Sequence, residues 1–325
     1  MTRITTKLNC REAFRARAVR YVAAMQRFPE ARVAELAHIC ELAAGRNGVM
    51  LDIFGGAGFA SDWLAPVFRR IDLIDETASL LPAPSTKRKV YEGDACRESG
   101  LRQLPGEYDV AVCLAGFHHI LAEEAERDSS LSALDTERVR LGVLRRWRAL
   151  LRPGGRLILA DVPQTGEVTS SENGRGRDYV ANLPNLKAAL GRAAGPTLEI
   201  PAFPIAPEPA AFFDEFVASE CPSGHAACFE TANHVAQIMR EAGFTNVQTA
   251  VRITPWCFPT VGDATWFLHE LFGIGGESIS EPLVLPCQKA GFVGDAIDRY
   301  LGSCQTKAGT LIGWRLLYAW GDRPT

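Results

Sequence analysis

The feature that most constrains this chain is the run VMLDIFGGAGF at residues 49–59. Apolar residues interrupted only by Asp52 lead into Gly55, Gly56 and Gly58, and a helix-forming stretch follows at residues 59–67. A strand that ends in glycines and turns into a helix lets a ligand approach the backbone. Glycine tolerates positive φ and presents no side chain, and the first turn of the helix offers N–H groups without intrahelical partners. Several kinds of nucleotide-binding α/β domain use such a turn, so alone it marks a ligand edge and not a ligand.

The same alternation recurs along the chain. Apolar runs at residues 71–74, 90–91, 108–114 and 156–162 read as strands, the last entered through a turn at Pro153, Gly154 and Gly155. A long helix is predicted at residues 131–151, and a looser stretch rich in Gly, Pro, Ser and Ala follows. Order returns with a helix at 230–242 ended by Gly243, a strand at 247–253, a helix at 263–272 and a final strand at 310–320. Residues 10–46 read as helical with a break at Pro29. Strands alternating with helices predict a parallel sheet covered on both faces. The expected class is α/β: a Rossmann-like, mostly parallel seven-stranded sheet with N-terminal helices and a helical or irregular lid. The expected segments are an N-terminal helical part at 1–47, a core at 48–162 and a lid at 163–229. Residues 230–325 complete the core and carry a second cap element near 256–305.

A chain of 325 residues is long enough for one such core plus a cap. Its formal net charge of −3 argues against a polyanion partner, and the arginines at 138, 140, 145, 146 and 148 fit a solvated helix face. No apolar run approaches the roughly 20 residues that span a bilayer, and residues 1–8 lack a signal-peptide core. The nine cysteines are odd in number and contain no C-x-x-C pair, which fits reduced thiols in the cytoplasm. Cys221, His225 and Cys228 offer three zinc ligands without an evident fourth, so no metal is expected.

Three further features narrow the ligand. Asp75 ends the second strand, 23 residues after Asp52, where a carboxylate can accept hydrogen bonds from two ribose hydroxyls. Gly93, Asp94 and Ala95 follow the third strand, and the turn before the fifth strand reads LLRPGGRLIL. Together these residues resemble the class I S-adenosylmethionine-dependent methyltransferases. The first motif of that family is acidic-x-Gly-x-Gly-x-Gly. Here Asp52, Gly56 and Gly58 match, Phe54 stands at the first glycine, and Gly55 is a candidate to compensate. The resemblance implies S-adenosylmethionine as cofactor. It places Asp75, with its neighbour Glu76, at the ribose, Asp94 and Ala95 at the adenine, Leu114 and Ala115 near the methionine moiety, and Asp52 at the cofactor's amino group, often through water. Tyr21, in the N-terminal helix, is a candidate to close over the cofactor. Structural readings stand beside these as the weaker alternative: Asp52, Asp75 and Asp94 as caps of a parallel sheet. An NAD fingerprint is disfavoured by the loss of its first glycine.

The acceptor side is less defined. His118 and His119 follow the fourth strand, where either can act as a general base, shape the loop or bind a metal. Tyr179 in the lid and Trp256 beyond it are aromatic residues able to line a small-molecule pocket or face a sulfonium, as well as to fill a cap's core. Three functions are compatible with the sequence. The first is methyl transfer to a small molecule, as in small-molecule biosynthesis. The second is a methyltransferase-like cyclase that converts S-adenosylmethionine itself into azetidine-2-carboxylic acid and 5′-methylthioadenosine. The third is a non-catalytic binding module. The expected partners are a small molecule, or the cofactor alone, with no nucleic acid and no membrane. A homodimer is among the assemblies the sequence allows.

Overall fold

Strands Val49–Ile53 (β1) and Tyr108–Leu114 (β4) are buried at every position but Leu114, as strands covered on both faces must be. Their alternate side chains feed two apolar layers. Met50, Val110 and Val112 point into one, and Leu51, Ala111 and Cys113 into the other. The computed structural model describes residues 10–120, 133–167, 203–217, 229–274, 296–307 and 309–325.

Around these strands lie β2 (Arg70–Asp75), β3 (Arg88–Glu92), β5 (Leu151–Asp161), β6 (Thr245–Ile253) and, last in sequence, a long strand at Arg315–Asp322. They form one seven-stranded sheet in the order β3-β2-β1-β4-β5, then the last strand, then β6. Every pairing is parallel except those of the last strand, which runs antiparallel to both β5 and β6. The fold is therefore the Rossmann-like, mostly parallel seven-stranded sheet that the alternation predicts. The Pro153–Gly155 turn proves to be a bulge inside β5, where the register against β4 shifts.

One expectation is corrected. The apolar stretch at 310–320 is not a single strand. It divides into β9 (Gly309–Ile312) and β10 (Arg315–Asp322), which belong to different sheets. The crossing falls at Gly313, where a Cβ would lie 2.0 Å from the Leu301 carbonyl oxygen. β9 pairs with β7 (Trp256–Phe258) and β8 (Ser303–Thr306) in a three-stranded antiparallel sheet.

Helices α1 (Cys10–Arg27) and α2 (Val33–Leu42) cover the first layer together with α3 (Phe59–Leu64). The second layer is covered by α4 (Glu98–Leu101), α5 (Ala133–Leu150) and α7 (Ala232–Glu241), while α6 (Pro209–Ala211) continues as a π-helical turn at Phe212–Val217. α1 lies along α8 (Val261–Phe272), joined by the Arg20–Glu270 ion pair at 3.0 Å. No helix among the described residues is long and apolar enough to cross a membrane.

The cap and core meet at Glu35, on α2, which is fully buried. Its carboxylate accepts two bonds from Arg32, at 3.2 and 2.8 Å, and one from the Trp256 indole N–H at 2.6 Å. Its backbone carbonyl accepts from the Tyr318 hydroxyl of β10 at 2.9 Å. Removing one partner of a buried pair leaves a charge in a medium that solvates it poorly. Glu35→Gln keeps the shape and strands the Arg32 charge. It is expected to cost about 3–5 kcal/mol of unfolding free energy, read from the urea midpoint. Glu35→Leu combined with Arg32→Met is expected to recover most of that loss, because neither charge then remains buried.

Candidate functional site

β1 delivers the chain to the C-terminal edge of the sheet, where open α/β sheets bind ligands. Phe54 takes the left-handed conformation itself, at φ 54°. That costs a residue with a Cβ about 1–2 kcal/mol, and here tertiary packing holds it. The Phe54 ring lies edge-on to Trp147, with centroids 5.9 Å apart. Its other side is covered by Gly116, where a Cβ would stand 2.6 Å from the ring. Gly55 does not supply the left-handed turn, but it is needed for close approach: a Cβ there would lie 2.4 Å from Leu73 and 3.0 Å from the Asp52 carboxyl carbon. Gly56 (φ 48°) and Gly58 (φ 83°) complete the turn into α3.

The turn is fastened to β2 by Asp75. One carboxylate oxygen accepts from the Gly56 N–H at 3.0 Å and the other from the Thr77 N–H at 2.8 Å. The Thr77 side chain adds a third bond to the carboxylate. Burial pushes the Asp75 carboxyl up, and the two backbone bonds oppose it. Asp52, at the end of β1, is 1% exposed. Burial, together with the charge of Asp75, pushes its carboxyl up to about 7 against the pull of a backbone bond from Ser61 and of Arg88. Among the described residues its Oδ2 has no hydrogen-bond partner.

These residues share a cleft with about 1150 Å³ of space free of protein atoms, counting its open mouth. Asp52, Phe54, Gly55, Gly56, Asp75, Glu76, Leu114, Ala115 and Tyr21 all line it. Gly58 stands behind it at the start of α3. Asp94 and Ala95 do not line it. The Asp94 carboxylate closes its own turn, accepting from the Cys96 N–H at 2.8 Å and from Arg97 at 3.0 Å, and Ala95 is fully buried with its carbonyl on the Trp147 indole.

The rest of the lining differs in character. Trp256, Phe272 and Trp314 lie with ring planes within 25° of one another, the two indoles 4.1 Å apart. His118 and His119 reach the same space, with rings 3.9 Å apart. His118 is held by Asp161 at the end of β5. The imidazole Nδ1 lies 2.7 Å from Oδ1, and the His118 backbone N–H donates to Oδ2 at 2.9 Å. Asp161 accepts a further backbone bond, from Val162, at 2.8 Å. Arg17 and Arg32 are buried and also line the cleft, Arg32 hydrogen-bonded to Tyr21 as well as to Glu35.

No family model and no curated protein matches the sequence. Solved structures are similar at low identity. The YcgJ protein of Bacillus subtilis is 13% identical over 90% of this chain and 98% of its own, with a TM-score of 0.47. The BH2331 protein of Bacillus halodurans C-125 is 14% identical over 89% and 99%, with a TM-score of 0.44. A phosphoethanolamine N-methyltransferase 2 of Haemonchus contortus, solved with phosphomonomethylethanolamine and S-adenosylhomocysteine, is 12% identical over 90% of this chain and 52% of its own, with a TM-score of 0.46. Likeness at this level carries no activity from one chain to another, so the site is argued from its own residues.

Tyr179 and the Cys221–His225–Cys228 group lie outside the described residues. Among the described residues no group of three His, Cys, Asp or Glu side chains is placed to hold a metal ion. The sequence reading missed Asp161, Arg17, Arg32 and Thr77. Only Asp161 had a visible signal, as a carboxylate ending an apolar strand like those at Asp52 and Asp75.

Asp52 sets a pH dependence. Its folded carboxyl titrates near 7 against an ordinary value of 3.8, so between those values the folded state binds the extra proton. Stability from this group is therefore full at low pH and falls as pH rises through that window. Asp52→Asn is expected to unfold at a higher temperature than wild type at pH 8, with the gap closing toward pH 4, when both are scanned without ligand.

Proposed function

We propose that this chain is an S-adenosylmethionine-dependent methyltransferase acting on a small-molecule acceptor. The observation that carries the reading is one cleft with two unlike sets of lining: a glycine turn with two buried carboxylates, and parallel aromatic rings with a histidine–carboxylate pair. The residues fit the cofactor. Asp75 is locked by two amides and the Thr77 side chain, with acceptor capacity left for a ribose hydroxyl. The orphaned Oδ2 of Asp52 supplies the buried acceptor that an ammonium, or a water beneath it, would satisfy. A Cβ at Gly56 would meet nothing nearer than 4.0 Å, so the backbone there stands open to a ligand. Tyr21 and Arg32, on the helical cap, face the same space and suit the cofactor's carboxylate.

When bound, S-adenosylmethionine supplies an electrophilic methyl group on a sulfonium. The protein's work is mainly alignment and exclusion of water. The aromatic wall holds an apolar acceptor, and ring faces favour a nearby cation. The cap helices α1 and α8 contribute Arg17, Tyr21, Leu271 and Phe272 to the lining of the cleft. Asp94 and Ala95, occupied within the protein, are not needed for this reading, and the adenine is assigned to the edge next to Glu76, Thr77 and Leu80.

The test begins with S-adenosylmethionine and no acceptor, the nucleoside product being identified by mass spectrometry. The cofactor is expected to bind and persist, with S-adenosylhomocysteine formed only when acceptors are added. Release of 5′-methylthioadenosine with a four-membered cyclic amino acid would establish the cyclase instead. Tight binding without turnover on any acceptor would leave a binding module. Asp75→Ala removes the charged acceptor proposed for the ribose and the anchor of the Gly56 turn. It is expected to weaken S-adenosylhomocysteine binding at least about 100-fold, roughly 3 kcal/mol by calorimetry.

A further inference from the structure

A second hollow lies apart from the cleft and shares no lining residue with it. It is formed by α5 and the turn that enters α4, and it holds about 900 Å³ of space free of protein atoms, counting its open mouth. α5 gives it Val139, Val143 and Arg146. These are four and three residues apart and so share one face of the helix. Val143 is fully buried and Ile120 is 2% exposed, so the inner lining is apolar. Residues 96–99 complete it.

Arg146 is the anomaly in this hollow. Four other arginines of the same two segments are engaged. Arg97 pairs with Asp94 at 3.0 Å, Arg102 with Glu98 at 2.9 Å and Arg140 with Glu230, while Arg145 donates to the Glu241 carbonyl at 3.4 Å. Among the described residues Arg146 has no hydrogen bond and no ion pair, and its Nε is buried without an acceptor. An N–H taken from water and given no acceptor is unfavourable, and buried donors in native proteins are nearly always satisfied. The Arg146 fork therefore calls for an acceptor from outside the chain.

The surrounding charge indicates its kind. Within the lining, Arg97 and Glu98 are neutralised by Asp94 and Arg102, which leaves one positive charge, on Arg146. A guanidinium fork meets a carboxylate in two parallel bonds. A phosphate dianion would bring a second charge with no cation to match it, beside Glu98. The apolar inner lining suits a hydrocarbon or ring body on the same molecule.

We infer that this hollow is a second ligand site, for a small monocarboxylate whose anionic end is held by Arg146 and whose apolar body lies along Val139, Val143 and Ile120. The site stands beside a joint of the glycine turn. Trp147, the residue after Arg146, donates to the Ala95 carbonyl at 2.8 Å and abuts Phe54, while Cys96, the residue after Ala95, lines the hollow. A ligand held there touches both segments that this bond joins. The inference does not rest on the methyltransferase reading.

The test is a titration of para-fluorobenzoate with the full chain near neutral pH, read by fluorine NMR, first without cofactor and then with saturating S-adenosylhomocysteine. A Kd of about 1 mM or tighter is expected in both, with the neutral para-fluorobenzamide at least about tenfold weaker. Arg146→Met keeps the length of the side chain. It is expected to weaken para-fluorobenzoate at least about tenfold, with a urea midpoint no lower than that of wild type, because a buried donor without an acceptor has been removed. Inorganic phosphate at equal concentration is expected to leave the ligand bound. Binding unchanged in Arg146→Met would overturn the proposal, as would no binding at about ten times the expected Kd. A lower urea midpoint for Arg146→Met would show the guanidinium to be held within the protein already. Displacement by phosphate would remove the carboxylate assignment. Loss of para-fluorobenzoate only when S-adenosylhomocysteine is added would make the hollow part of the cofactor's site and not a second one.

Discussion

The buried ion pair between Glu35 and Arg32 is the constraint on which the rest of the structure depends. A carboxylate with no solvent exposure is tolerable only if its lone pairs are filled, and Arg32 and the Trp256 indole fill them. Those partners come from three places in the chain. Arg32 precedes α2, Trp256 opens the small antiparallel sheet, and Tyr318 of β10 holds the Glu35 backbone. The pair therefore fixes where the helical cap and the three-stranded sheet stand relative to the seven-stranded one. Because Arg32 and Trp256 also line the cleft, this part of its lining is held by the same buried charges.

The entry to α3 shows a local conflict settled by packing. A phenylalanine in the left-handed region is intrinsically unfavourable, yet the glycine turn keeps its path. The compensation lies 62 residues away, at Gly116, which leaves space for the Phe54 ring, and at Trp147, which abuts it. Strain of this kind persists where surrounding structure over-determines it and is concentrated at functional sites. The ring also seals the underside of the turn, a service a glycine cannot perform.

What could be read from the sequence follows the range of each interaction. The strands at 49–53 and 108–114 are long apolar runs bounded by turn residues, and they appear with those bounds. That Asp52 and Asp75 stand near the C-terminal edge of the sheet is legible because each closes an apolar run that leads into a turn. The strands β7, β8 and β9 have three or four residues each, too few to establish an alternation. β9 and β10 read as one because only Gly313 separates two apolar runs. Glu35 reads as an ordinary exposed helix residue, since its partner Trp256 is 221 positions away. The resemblance places Asp94 at the adenine, and the sequence does not show that its carboxylate also accepts from Cys96 and Arg97 in its own turn. Asp161 belongs with His118, 43 residues earlier, and only the parallel pairing of β4 with β5 brings them together.

The two walls of the cleft follow opposite electrostatic logic, and on the proposed reading the reaction requires that difference. Asp52 is a liability in the ligand-free protein: buried, near Asp75 and short of a partner for one oxygen. A cationic ligand converts that liability into binding free energy, because the carboxylate then ionises against a charge it lacked. Asp161 is already satisfied by two backbone amides and an imidazole, so it needs no ligand to be stable. A wall that is incomplete without its ligand selects that ligand, and a wall complete in itself is pre-organised to act on whatever is brought to it. On that reading methyl transfer divides in the same way, between a cofactor that must be captured with its charge and an acceptor that must be aligned with it.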